Sequence, residues 1–252
     1  MSGLEWQLAV VETVLQETPR VKTFRLRLPH WRPHRAGQHY SLRLTAPDGY
    51  QAQRSYSVAS APEQTGHIDL TVELLEDGEV SGYLFEGVLP GDQLEVRGPI
   101  GGYFVWEATS AASPLLLIAG GSGVVPLMAM LRHRQNTGLQ NPTVLLYSVR
   151  NPAEVIYRQE LEALARADSS FTLLLTYTRQ APPQWSGYQR RPDSAMLAEV
   201  VGRFITSPHC FICGPNGLVE SAANELVALG LPASTIRTER FGPAAAGAIA
   251  VN

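Results

Sequence analysis

A β plus α/β fold is what this sequence predicts: an antiparallel barrel or sandwich first, then an α/β unit on a parallel sheet. Three observations carry that expectation. Short strand-like runs broken by turn signals fill the first part of the chain. After Glu107 to Ser113, a weakly patterned stretch of small and polar residues, the rhythm changes to alternating strands and helices. At the start of that second rhythm the aliphatic run Leu115 to Ala119 feeds directly into Gly120-Gly121-Ser122-Gly123. The expected division is 1–108, then 109–241, then a small Ala/Gly-rich tail, 242–252, that frays.

Leu8 to Leu15 and Val21 to Leu28 are rich in β-branched and aliphatic residues. In the second run, alternation turns Phe24, Leu26 and Leu28 inward and Thr23, Arg25 and Arg27 outward. Tyr40 to Leu44 is a third strand, closed by the turn Pro47-Asp48-Gly49. Tyr50 to Ala59 is extended and weakly apolar, and it ends at Ala61-Pro62. Ile68 to Leu74 stops at Asp77-Gly78. Ser81 to Val88 reads as a short helix with Ser81 as N-cap. Pro90-Gly91-Asp92 is a turn before the strand Gln93 to Arg97.

In the second part, Leu115 to Ala119, Thr143 to Ser148, Phe171 to Thr178 and His209 to Cys213 read as strands. The intervening helices are Val125 to Gln135, Pro152 to Ala167 and Ser194 to Gly202, and a last one, Pro215 to Leu229, ends at Gly230. Short aliphatic strands alternating with helices imply a parallel sheet covered on both faces.

The bulk properties exclude several classes. Among 252 residues, 44% are hydrophobic and 17% charged, so the chain can bury a sizeable core. Twenty basic and 23 acidic residues leave a formal net charge of -3, which argues against nucleic-acid binding. Two cysteines make no disulfide framework and hold no all-cysteine iron–sulfur cluster, so a reducing cytoplasm is expected. Met1 to Val14 carries Glu5 and Glu12 and has no signal-peptide pattern. Ala108 to Leu131 is uncharged, but Gly120, Gly121, Ser122, Gly123 and Pro126 interrupt it, so a buried strand and turn explain it better than a membrane span. The six histidines show no metal-ligand spacing, and no metal is expected.

Four groups of residues could carry chemistry. In Arg54-Ser55-Tyr56-Ser57, strand alternation puts Arg54 and Tyr56 on one face and the serines on the other. A guanidinium beside an aromatic ring suits a ligand with both a phosphate and a flat ring. An exposed edge strand alone would also account for these four residues. Gly120 to Pro126, between strand and helix, lets backbone approach a phosphate at a helix N-terminus, although Pro126 replaces the third glycine of the dinucleotide fingerprint. A nucleophile elbow at Ser122 would need glycine where Val124 stands. The second and third strands end in Tyr147-Ser148-Val149-Arg150 and Tyr177-Thr178-Arg179, and Tyr188, Arg190 and Arg191 follow. Arginines and hydroxyls without an acid favour a ribose 2′-phosphate, hence NADPH over NADH. Cys210 and Cys213 form C-x-x-C, but their odd separation in a strand points the thiols to opposite faces, so neither a metal nor a redox pair is expected.

Taken in order, these segments resemble the ferredoxin–NADP reductase family over nearly the whole chain. Arg54-Ser55-Tyr56-Ser57 is similar to its R-x-Y-[ST] flavin motif, and Gly78-Glu79-Val80-Ser81 to its flavin-pyrophosphate segment. Gly98 to Phe104 resembles the G-P-x-G-x-F segment that closes its barrel, and Gly121 to Pro126 resembles G-T-G-x-x-P. Cys213-Gly214-Pro215 is similar to the nicotinamide motif, and Glu239-Arg240-Phe241 to the C-terminal acid and aromatic. The resemblance implies an FAD-binding antiparallel barrel followed by an NAD(P)-binding α/β domain.

It also implies roles. Arg54 holds the FAD pyrophosphate, Tyr56 stacks on the isoalloxazine and Ser57 bonds near its N5, while Ser55, Thr71, Gly78, Val80 and Ser81 border the rest of the FAD. Gly121, Ser122, Gly123, Gly214 and Pro215 shape the nucleotide site, and Cys213 and Glu239 border the nicotinamide, with Ser57 completing the catalytic set. Phe241 lies near the ring, and Arg150, Thr178, Arg179 and Arg191 resemble the groups that some bacterial members use for the 2′-phosphate. Departures are Glu73 in place of a basic residue, Val125 in place of a smaller one, and eleven residues after Phe241.

The implied activity is hydride transfer from NADPH or NADH to FAD, with electrons passed to a separate iron–sulfur, haem or flavin protein. A free-flavin (diaphorase-type) reductase, a non-catalytic redox sensor and a Ser122 hydrolase are the alternatives. Arg25, Arg27, Arg32 and Arg35 form either a solvated strand face or a docking patch for an acidic acceptor.

Overall fold

The computed structural model describes residues 4–108 and 113–241. The expected tail 242–252 lies outside the described residues, and the expected boundary at 108/109 abuts 109–112, which are also outside them.

Six antiparallel strands form the first sheet: β1 (Gln7–Thr18), β2 (Val21–Arg27), β3 (His39–Thr45), β4 (Gln51–Ser57), β5 (His67–Glu73) and β6 (Gln93–Ile100). Their order is β4-β3-β6-β1-β2-β5. The two outer strands meet where Val58, just past β4, bridges Leu70 of β5, and the Ala59 N–H donates to the Asp69 carbonyl at 2.8 Å. The sheet therefore curls into a barrel rather than a sandwich. Phe24, Leu26, Tyr40, Leu42, Ile68, Leu70 and Val96 fill it. Helix α1 (Glu79–Gly87) covers one end and buries Val80 and Leu84.

Five parallel strands form the second sheet: β7 (Leu115–Gly120), β8 (Thr143–Val149), β9 (Phe171–Tyr177), β10 (His209–Gly214) and β11 (Ile236–Arg240). The order is β11-β10-β7-β8-β9. The chain fills one side from β7 to β9, then returns to the other, so strand order reverses between β7 and β10. In open α/β sheets the carboxyl ends at such a reversal make a ligand crevice. Helices α2 (Val124–Asn136), α3 (Arg158–Ala167), α4 (Ser194–Val201) and α5 (Asn216–Ala228) cover the faces.

Cys213 packs in one face's core and Cys210 in the other's, and both thiols are free, as the odd spacing predicts. The core around Leu117, Leu127 and Leu145 also takes in Ala36, Ala59, Phe104 and Trp106 from the barrel side. The two sheets thus share buried apolar surface. Phe104 meets Phe211 edge-on at 5.5 Å, and the Arg237 guanidinium donates to the Val105 carbonyl across the same junction.

Four local expectations are corrected. Helix α1 starts two residues before Ser81. The Ser81 hydroxyl accepts from the Leu75 N–H at 3.2 Å and donates to the Gly78 carbonyl at 3.1 Å, so it braces the approach and is not the N-cap. The helix expected over 152–167 is broken. A 3-10 turn spans Pro152–Glu154, Tyr157 takes a left-handed φ of 56°, and only Arg158 starts the α-helix. Thr23 is buried rather than outward-facing because the second sheet's connections cover that part of the barrel; its hydroxyl bonds Thr71 at 2.8 Å. Strand β11 was not expected at all.

Candidate functional site

Between the two sheets lies a cleft of about 1300 Å³, lined from both. Pockets for single small ligands run to roughly 1,000 Å³, so this one has room for more than one nucleotide-sized group.

On the barrel side the wall contains Arg54, Ser55, Tyr56, Ser57 and Thr71. Strand β4 is an outer strand, so its C-terminal half presents both faces to the opening. The Arg54 guanidinium donates to the Gln53 carbonyl at 2.7 Å and has no carboxylate partner among the described residues. Tyr56 lies directly across from Tyr40 on β3, and its half-buried ring packs on the barrel core. Desolvation pushes its phenol up to about 12, so it is a neutral hydrogen-bond donor at any ordinary pH. The Ser57 hydroxyl is buried and has no hydrogen-bond partner among the described residues. Gly78, Val80 and Ser81 continue the wall at the start of α1, whose first N–H groups have no side-chain cap. Glu73, Glu76, Asp77 and Glu79 also reach this wall, so cationic recognition of an anion here rests on Arg54.

On the parallel-sheet side the wall is built at the strand-order reversal. Gly121 has φ +55° with open space where a Cβ would project, so bare backbone faces the cleft. Ser122 lines it as well, but Gly123 lies behind. A Cβ on Gly123 would fall 2.1 Å from the Cys213 carbonyl oxygen, so glycine there lets the turn pack onto β10. Further along, Ser148, Val149, Arg150, Thr178, Arg191 and Pro192 line the cleft. Arg150 pairs with Glu154 at 2.7 Å, and Arg190 with Asp193 at 2.6 Å. Arg191 reaches the cleft without an ion-pair partner among the described residues, whereas Arg179 is exposed and away from its wall.

Pro215 and Phe241 complete the wall, and the Phe241 N–H donates to the Gly214 carbonyl at 3.0 Å. Cys213, Gly214 and Glu239 sit behind the surface. Strand pairing places Cys213 directly beside Glu239. Burial pushes the Glu239 carboxyl up to about 7, and its Oε2 has no partner among the described residues. Burial, then the neighbouring Glu239, holds the Cys213 thiol well above its ordinary range. The site therefore keeps a protonatable carboxyl and a neutral thiol side by side. Glu154 and the α5 residues Leu218 and Ser221, which also line the cleft, were not anticipated. The i, i+3 spacing of the α5 pair on a helix that begins at the reversal was the available signal.

Three of the four arginines considered for docking are neutralised. Arg25 pairs with Asp69 at 2.8 Å, Arg27 with Glu12 at 3.1 Å and Arg35 with Glu107 at 3.0 Å. Among the described residues there is no His/Cys/Asp/Glu group able to hold a metal, and no helix long and apolar enough to cross a membrane.

The cleft's residues fit a flavin dinucleotide. An acid-free guanidinium, an uncapped helix start, a tyrosine ring on the wall and a buried hydroxyl lacking a partner answer to phosphate, flat ring and ring heteroatoms. The glycine turn at the sheet reversal fits a second dinucleotide. A barrel and a parallel sheet sharing such a cleft define a two-domain oxidoreductase that binds a flavin and a nicotinamide nucleotide.

Comparison with known proteins agrees. Residues 8–105 match the oxidoreductase FAD-binding domain and residues 117–224 the oxidoreductase NAD-binding domain. The chain is 37% identical to ferredoxin–NADP reductase B of Sorangium cellulosum over 212 residues, 82% of this chain and 84% of that protein. It is 30% identical to the reductase component of phenol 2-monooxygenase from a Pseudomonas strain, over 95% of this chain but 66% of that protein's length. The fold of a Neisseria gonorrhoeae ferredoxin–NADP reductase crystallised with FAD and NADP superposes with a TM-score of 0.80 at 24% identity, covering 93% of this chain and 98% of that one. The chain belongs to the ferredoxin–NADP reductase family.

Proposed function

We propose that this protein is an NAD(P)H-dependent flavoprotein reductase that passes electrons to a separate redox protein. The observation that carries the reading is the single cleft with Arg54 to Ser57 on one wall and the Gly120-Gly121-Ser122 turn on the other. When bound, FAD supplies the chemistry: it accepts a hydride from the nicotinamide and gives up electrons to an acceptor. The chain's share is alignment and exclusion of water. Residues 1–108 would bind the FAD and 109–241 the nicotinamide nucleotide.

Arg54 and the start of α1 would hold the diphosphate, Tyr56 would stack on the ring system, and Ser57 would satisfy its orphaned hydroxyl on a ring nitrogen. Glu239, whose carboxyl burial pushes up to about 7, would hold or release a proton behind the nicotinamide site. NADPH is the favoured donor. Arg150 reaches the cleft from the end of β8 and Arg191 from beyond β9, where a 2′-phosphate would lie.

The acceptor is read from the relatives. One is named for ferredoxin and another is the reductase component of a monooxygenase, so an iron–sulfur protein or an oxygenase component is the partner we favour. The cytoplasm is the matching compartment.

The test is an absorption spectrum of the purified protein before and after anaerobic NADPH or NADH. A flavin spectrum bleached by NADPH supports the reading. A protein that binds no FAD sinks it. Bleaching by NADH in preference to NADPH sinks the coenzyme assignment alone.

A further inference from the structure

The break in the helix expected over 152–167 places one tyrosine across the junction of the two sheets. Tyr157 adopts φ 56°, a left-handed conformation uncommon for a bulky residue. It is almost wholly buried. Its hydroxyl bonds the hydroxyl of Thr71 on β5, which in turn bonds Thr23 at 2.8 Å, and Thr23 donates to Glu17 at 2.7 Å. Arg132 of α2 lies 5.0 Å from the Tyr157 ring centre, donates to the Ala59 carbonyl at 2.8 Å and holds Glu160 through two nitrogens. The tyrosine is thus enclosed by barrel on one side and by α2 and α3 on the other.

Its position relative to the cleft gives this contact its meaning. Thr71 lines the barrel wall, while Arg150 and Glu154, on the segment that leads into Tyr157, line the opposite wall. The Tyr157–Thr71 bond therefore ties together two segments that each carry part of the cleft surface. Other contacts hold the junction elsewhere: His133 with Glu63 at 2.5 Å, and Arg237 with the Val105 carbonyl. Neither Glu63 nor His133 reaches the cleft wall.

We propose that the Tyr157 hydroxyl is a positioning group that fixes the register of the two cleft walls through Thr71, and so sets how closely a bound nicotinamide approaches the flavin. This rests on the reductase reading above. Reaction rates fall steeply when bound partners are misplaced by about 1 Å, so a contact remote from the reacting atoms can govern turnover.

Tyr157→Phe is the direct test, because it keeps the ring and leaves Thr71 bonded to Thr23. Two measurements are made. In FAD-free protein, amide hydrogen exchange of 67–73 and 155–158 is compared with the parent. In FAD-loaded protein, single-turnover flavin reduction is followed across a range of NADPH concentrations.

The expected result is at least tenfold faster exchange at both segments, and about a tenfold lower limiting rate with the NADPH concentration at half-maximum changed less than twofold. Glu63→Ala, which removes a junction contact away from the cleft, should leave the limiting rate unchanged. Thr23→Val, which deprives Thr71 of its fixed partner but keeps Tyr157, should give a smaller loss of the same kind, and it carries the test if Tyr157→Phe does not fold. A limiting rate within twofold of the parent in Tyr157→Phe, or an equal loss in Glu63→Ala, overturns the proposal. Failure of the parent itself to bind FAD sinks the reductase reading, while the exchange result on FAD-free protein still decides whether Tyr157 couples the walls.

Discussion

On the barrel wall of the cleft the recognising groups are side chains: Arg54, Tyr56 and Ser57 project from an outer strand whose neighbours are already paired. On the parallel-sheet wall much of the surface is backbone. Gly121 faces the cleft bare while Gly120 packs beneath Pro215 and Leu218, and Glu239 and Cys213 are not part of the lining. The difference follows from sheet type. A barrel edge strand has a solvent side on which long side chains can stand, whereas a parallel sheet covered on both faces offers a ligand mainly its strand ends. It follows that an exposed side chain of the barrel wall such as Arg54 can be altered without disturbing the fold, whereas the packed glycine turn of the sheet wall cannot.

The largest effect should come from Gly123→Ala. Its Cβ would lie 2.1 Å from the Cys213 carbonyl oxygen, so the turn or β10 must shift. Overpacking of this kind costs about 3 kcal/mol, which for a chain of this size is a fall of roughly 6–12 °C in Tm. Calorimetry of the FAD-free protein measures it. A Tm within 2 °C of the parent would break the argument that this wall's shape depends on the glycine.

Arg54→Ala is the opposite case. The side chain is exposed and its one protein partner among the described residues is the adjacent Gln53 carbonyl, so Tm of the FAD-free protein should not change. A charged hydrogen bond to phosphate contributes about 1.5–3 kcal/mol, so FAD affinity should fall by roughly tenfold to more than 100-fold. Titrating FAD-free protein with FAD and following flavin fluorescence reads this directly.

How far each wall was legible in the sequence follows the same division. Aliphatic strands such as Leu115 to Ala119 and the glycines after them announced the parallel sheet and its turn. The alternation of Phe24, Leu26 and Leu28 announced the barrel core. Strand β11 stayed hidden because Ile236-Arg237-Thr238-Glu239-Arg240 reads as a polar stretch; it is a strand only because β10 stands beside it. The break at Tyr157 was invisible because helical periodicity continues through it, and a left-handed residue leaves no mark when it is not glycine. Thr23 was misplaced because strand alternation knows nothing of a second domain covering the outer face. Glu239 could be singled out by resemblance alone, since its raised pKa arises from burial that no local pattern encodes.

That burial makes stability depend on pH. The Glu239 carboxyl has its folded value raised from 4.5 to about 7, so folding favours the protonated form. Both states are protonated below about pH 4.5, and the group then costs nothing. As pH rises through 7 the folded protein must carry a buried carboxylate, and stability is lost across that window. At about 1.4 kcal/mol per pH unit of difference the upper bound is ~3 kcal/mol; partial exposure reduces it to on the order of 1–2 kcal/mol. Glu239→Gln should therefore match the parent near pH 4.5 and exceed it above pH 7. Parallel stability curves for the two proteins would show that the carboxyl is not buried in the way described.

The smallest effect tests whether the sheet wall also has one adjustable side chain. The Glu154 carboxylate accepts from Arg150 at 2.7 Å and from Asn151 at 2.9 Å, and the Arg150–Glu154 pair lines the cleft. Exposed pairs of this kind contribute about 0.2–1 kcal/mol, so Glu154→Gln should change Tm by no more than about 4 °C. If a 2′-phosphate binds at Arg150 as proposed, the Glu154 carboxylate would compete with it for the same guanidinium and would repel it. Removing the charge while keeping the Asn151 contact should tighten NADP+ by about threefold, the equivalent of ~0.7 kcal/mol, and leave NAD+ unchanged. Calorimetric titration of both nucleotides separates the outcomes. Equal tightening of both would mean that Arg150 meets a part of the nucleotide common to the two, and the coenzyme preference would then rest on Arg191, the cleft arginine without an acidic partner among the described residues.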